Sequence, residues 1–171
     1  IYTGLNMTSF KDLDGNLIPN VTVTVGNGAS VPAISTTGDV TVTGGTVAGG
    51  VITDGNVTVS GVAATGVTAG SITGNIAALT APSAAADAIV GTVTLEGEAT
   101  VGGKIMPKTN HTWTLEVKDK AGVAGLATVD ALTINGTQAY VTDAAVAGDV
   151  TITDTEEAEA VKGTLTMAAS K

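Results

Sequence analysis

The chain has 171 residues and a formal net charge of −9, with no arginine, no cysteine and a single histidine, His111. This excludes disulfide staples, thiolate metal sites and multi-histidine zinc sites, and the seven scattered lysines form no basic stripe for a nucleic-acid backbone. Aromatic residues make up only 2% of the chain, so its core must come from valine, alanine, isoleucine and leucine, while 23 glycines raise the entropy that folding has to overcome.

In chain order, Ile1 to Phe10 reads as an extended segment with Ile1, Leu5 and Met7 on one side, an edge strand or one donated to a neighbouring subunit. Asp12-Leu13-Asp14-Gly15-Asn16 follows, with oxygen-bearing side chains at alternate positions as in calcium loops. Asp12, Asp14 and Asn16 are therefore candidate calcium ligands; position twelve from Asp12 is Val23, which cannot ligate, and a plain turn is the competing reading. Calcium is the one cofactor the acidic composition brings into view.

A period of two then dominates. Val21 to Val25, Val40 to Thr43, Val57 to Ser60, Val93 to Leu95, Trp113 to Val117, Val150 to Thr153 and Leu165 to Met167 alternate apolar and polar residues as half-buried strands do. Asn27-Gly28, Asp54-Gly55 and Asn135-Gly136 between them read as tight hairpin turns with positive φ. Ser83 to Val90 and Thr155 to Lys162 are each expected to form one or two helical turns joining strands, because neither offers an apolar stripe.

Two architectures fit this pattern. Lys11 to Gly15 followed by Pro19 to Val23 echoes Lys118 to Gly122 followed by Gly125 to Val129, and this strand, charged turn and strand resembles the opening hairpin of bacterial and phage immunoglobulin-like modules. The resemblance implies an all-β, immunoglobulin-like sandwich with two lobes, residues 1–106 and 107–171, the second short enough to borrow a strand from another subunit. Between Gly38 and Leu79, Val40-Thr41-Val42 recurs as Val57-Thr58-Val59 at a spacing of about 17 residues and Ile52-Thr53 as Ile72-Thr73, which resembles the rungs of a short β-solenoid such as the bactofilins. The period drifts between copies, which favours short antiparallel strands and also argues against a threonine array regular enough to match an ice lattice.

Five of the eight asparagines, Asn6, Asn20, Asn56, Asn110 and Asn135, open Asn-x-Thr triplets and are candidate glycosylation sites, although asparagine at turns and threonine in strands produce such triplets without any glycan. Catalysis has little to work with. His111 lacks a nucleophile elbow and is expected on the surface at a strand entrance, Glu156 and Glu157 are adjacent on an acidic turn, and the glycine pairs lack the Lys-Ser/Thr of a phosphate loop. The chain is expected to be a non-enzymatic structural subunit of an extracellular filament, pilus or surface layer, self-assembling through strand edges or donated strands, with a virion component, a capsid decoration or head or tail fibre, as the alternative. Its expected partner is itself, with neither nucleic acid nor a membrane span, since no apolar run reaches bilayer length.

Overall fold

A computed structural model describes residues 13–16, 18–63, 67–153 and 160–167. They form a parallel β-solenoid of about eight turns. Turn one carries β1 (Val23–Val25), β2 (Ser30–Val31) and β3 (Ile34–Thr36), turn two β4 (Val40–Thr43), β5 (Thr46–Val47) and β6 (Val51–Thr53), and turn three β7 (Val57–Ser60), β8 (Ser71–Ile72) and β9 (Ile76–Ala78). Turn four carries β10 (Ile89–Leu95), β11 (Thr100–Val101) and β12 (Ile105–Met106); turn five carries β13 (His111–Lys118) and the long β14 (Gly122–Val129). Turn six has β15 (Ala131–Asn135) and β16 (Tyr140–Val146), and turn seven has β17 (Val150–Thr153) and β18 (Leu165–Met167). Ahead of turn one, Ile18 and Asn20 sit beneath Thr37, whose hydroxyl receives the Asn20 N–H at 2.7 Å.

The first strand of each turn joins one seven-stranded sheet, β1-β4-β7-β10-β13-β15-β17. The remaining strands form two further faces, which β14 bridges by pairing with β11 at its start and β12 at its end. Inside, like residues stack in columns. Val23, Val40, Val57, Val93, Leu115, Leu132 and Val150 form one and Val25, Val42, Val59, Leu95, Val117, Ile134 and Ile152 the next. On the second face Val31, Val47, Ile72, Val101, Val123, Val141 and Val161 continue this order. Between turns two and six the inward residues of these columns are fully or almost fully buried, each contributing about 1.5–3 kcal/mol relative to exposure.

The all-β expectation holds, and the β-solenoid weighed for the middle section extends over the described chain. The sandwich does not form. Pairing between the named strands is parallel throughout, whereas hairpins and a sandwich of this kind need antiparallel neighbours. The residues read as hairpin turns instead carry the chain round corners from one face to the next: Asp119, in the charged turn of the supposed second hairpin, has φ 57° and leads from β13 into β14, which belong to different sheets. Rungs continue without a break across residues 106 and 107, with β13 paired to β10 on one side and β15 on the other.

The drifting period has a simple cause. A bare turn advances 17 residues, as between Asp39 and Asn56; steps of 25, 29 and 36 arise where extra residues enter the chain between β7 and β8 and between β9 and β10. The strands on either side remain in register. Of the two segments expected to be helical, the first holds a single 3₁₀ turn, Ala85–Asp87, and most of the second lies outside the described residues.

One corner shows why particular residues are required. Thr36 and Thr53 are buried in an otherwise apolar column; their hydroxyls donate to the carbonyls of Val21 and Gly38 at 2.6 Å and accept the N–H groups of Gly38 at 3.2 Å and Gly55 at 3.0 Å. Thr53→Val keeps the shape but strands the Gly38 carbonyl and the Gly55 N–H. The expected cost is about 1–3 kcal/mol, visible as a lower urea midpoint with an unchanged slope.

Candidate functional surfaces

The outward side of the first sheet presents the most regular surface. Residues alternate in and out along each strand, so the residue between two core columns points to solvent. Across successive rungs those residues are Thr24, Thr41, Thr58, Thr94, Glu116, Thr133 and Thr151, each paired in register with the next. Six of the seven are threonine. Beside this ladder Thr92 pairs with Thr114, and on its other flank the hydroxyls of Thr43 and Ser60 lie 3.4 Å apart. The one charge in the central row, Glu116, is matched by Lys118 at 3.1 Å. Both side chains are well exposed, so the pair contributes little stability.

The last turn differs from those before it. Val150, Ile152 and Val161 occupy core columns but are only half-buried, and Leu165 and Met167 are 40% and 47% exposed. Val150, Ile152, Val161, Gly163 and Leu165 line a cavity of about 530 Å³. Among the described residues, β17 pairs only with β15 and β18 only with β16, leaving an open edge on each.

His111 is the clearest departure from expectation, being fully buried. The insertion at 79–88 folds over it: Nδ1 lies 3.2 Å from the Thr80 carbonyl and 3.3 Å from Asp54 Oδ1, and the ring packs tilted by 40° against Trp113 with centroids 5.0 Å apart. Asp54 Oδ1 also accepts the Thr80 N–H at 2.8 Å, Lys108 Nζ donates to the Leu79 carbonyl at 2.7 Å and Asn110 Nδ2 to the Pro82 carbonyl at 2.9 Å. These residues pin the insertion to the solenoid. No nucleophile is placed against the imidazole, and Nε2 has no partner among the described residues. The alternation that turns Trp113, Leu115 and Val117 inward also turns His111 inward at the start of β13, a signal present in the sequence, and the insertion completes its burial.

Asn20, Asn56 and Asn135 are exposed at corners or strand ends, where a glycan would meet solvent. Asn110 differs, being half-buried with its amide nitrogen already engaged at Pro82, and Asn6 lies outside the described residues. Of the calcium candidates, Asp14 and Asn16 are exposed on either side of Gly15, whose φ is 86°, and Asp12 lies outside the described residues. Among the described residues no group of three or more His, Cys, Asp or Glu side chains is placed to hold a metal ion, and no helix is long and apolar enough to cross a membrane.

The fold thus defines a stack of repeated parallel rungs, the architecture of solenoid proteins. Comparison with protein-family models, curated proteins and solved structures found no match.

Proposed function

We propose that the protein is a non-enzymatic structural subunit of an extracellular assembly, a filament, pilus or surface layer, in which copies associate through the strand edges at the ends of the solenoid. The observation that supports this is the last described turn, where strand edges that are unpaired among the described residues coincide with core columns left half-exposed. A parallel edge is a template for a further parallel strand, and native proteins ordinarily blunt or cover such edges. Joining a second copy there would extend the sheets and cover Ile152 and Leu165 together. The acidic charge opposes contact between copies, so association strengthens as salt screens it.

The test is sedimentation and negative-stain microscopy of the full chain across ionic strength. Ordered polymers that lengthen with salt, and that are lost in Leu165→Asp while its circular dichroism is unchanged, are the expected result. A chain that stays monomeric at all concentrations and salt levels contradicts the proposal.

A further inference from the structure

We infer that a lysine-walled cavity at the corner leading into the second face, in turns five to seven, is a binding site for a single carboxylate-bearing sugar unit, a hexuronic acid. The cavity measures about 340 Å³ and is lined by Lys120, Thr137, Gln138, Tyr140 and Lys162, at the small end of the range for small-molecule sites, about 300–1,000 Å³. Two of its five lining residues are lysines and none is acidic, in a chain where carboxylates outnumber lysines 16 to 7. The Lys162 ammonium stands 4.3 Å from the centroid of the Tyr140 ring, and among the described residues no carboxylate lies within ion-pair distance of it. Lys120 meets Glu98 only at 3.5 Å and is 55% exposed. The rungs place both the ring and the cation. Tyr140 pairs in register with Gly122, and the missing side chain there leaves room for the ring, which an added Cβ would strike. Lys162 follows Val161, which bridges to Val141, and its N–H donates to the Val141 carbonyl at 3.1 Å.

Charge, size and the donor set select this ligand over others. An ammonium held at a π face keeps its charge while losing part of its water, and a carboxylate satisfies it with a charge-assisted hydrogen bond. Lys120 supplies a second cation, and the Thr137 hydroxyl and Gln138 amide offer donors and acceptors to sugar hydroxyls. The Tyr140 ring gives an apolar surface for the C–H edges of a pyranose. Phosphate or acetate would use the lysines and leave the ring and the amide idle. A long polyanion such as a nucleic acid is opposed by the net charge of −9 and by the absence of a basic stripe. An acidic side chain of a second copy meets the same repulsion between two chains of like charge.

Amide NMR titration of the full chain with glucuronic acid at neutral pH, beside glucose, acetate and phosphate, tests the inference. Glucuronic acid is expected to bind in the millimolar range, to shift the amides of Gln138, Tyr140 and Lys162 saturably, and to bind more weakly as salt rises. The three comparison compounds should each bind more weakly. Lys162→Gln should reduce the affinity about tenfold while keeping the melting temperature, and Lys120→Gln, on an exposed side chain, should weaken it as well. Lys104→Gln, on the third face, should leave it unchanged. No saturable shift with glucuronic acid, equal binding of acetate or phosphate, or unchanged affinity in both cavity variants overturns the inference. So does a parent chain that self-associates through this corner, seen as dimers that Lys162→Gln abolishes, without binding the sugar. Because the test needs no polymer, it is independent of assembly at the solenoid ends.

Discussion

Trp113→Ala is expected to cost about 3–5 kcal/mol of folding stability, the largest loss from any single truncation in the chain. Trp113 is fully buried in the fifth turn, and its indole N–H donates to the Met106 carbonyl at 3.1 Å. In a core of aliphatic side chains it is by far the largest. The rung beneath makes room for it at Gly91, where an added Cβ would lie 2.4 Å from the ring. Alanine at 113 therefore leaves a void lined partly by glycine, which cannot collapse to fill it. The two positions should couple: Gly91→Ala alone destabilises by overpacking, and in the Trp113→Ala background it should cost far less or help. A double-mutant cycle in urea, followed by circular dichroism because the only tryptophan is removed, reads this coupling. Additive effects would show that the two residues do not share a space.

Gly103→Ala is expected to be nearly as damaging, at about 3 kcal/mol, the upper end for overpacking. At the corner between the second and third faces the backbone stacks directly on itself from rung to rung. A Cβ on Gly49 would lie 2.4 Å from the Pro32 carbonyl oxygen, on Gly74 2.6 Å from Gly49, on Gly103 2.4 Å from Gly74 and on Gly125 2.4 Å from Gly103. None of these four glycines has positive φ. The requirement is for space and not for a left-handed backbone, and because the obstacle is backbone no rotamer change relieves it. Gly26→Ala is the control: nothing lies within 4 Å of its Cβ position and its φ is ordinary, so it should be close to neutral. Melting temperatures of the two variants compared with the parent decide the matter.

The strands were legible in the sequence because alternation of valine with threonine is a direct imprint of one face turned inward. Val40 to Thr43 and Val57 to Ser60 are strands with the inward residues expected. What alternation does not encode is which strand pairs with which. Asp54-Gly55 reads equally well as a hairpin turn or as a solenoid corner, since both need small residues; here Gly55 has no positive φ and is required because its Cβ would meet the Gly38 backbone at 2.4 Å. The 17-residue step was visible only between the rungs free of insertions. Later, the insertions at 61–70 and 79–88 hide it from any count along the chain, although the register they interrupt is intact in space. The threonine ladder was likewise present as isolated Val-Thr-Val triplets, and only the pairing aligns them into one row. The alternation through Trp113, Leu115 and Val117 extends back to His111 and marks it as inward, whereas the groups that cover it, Asp54 and Thr80, come from distant segments and could not be read from the sequence.

The central claim is that successive outward threonines occupy successive rungs of one parallel stack, and pulsed electron spin resonance distances test it most directly. The chain has no cysteine, so spin labels can be placed at will at Thr24 and, in separate variants, at Glu116, Thr133 or Thr151. These positions stand four, five and six rungs from Thr24. The solenoid predicts distances of about 19, 24 and 29 Å, rising by one rung spacing of about 4.8 Å each time. Distances that do not increase in this order, or a Thr24 to Thr151 separation no longer than that from Thr24 to Glu116, would contradict the parallel stack.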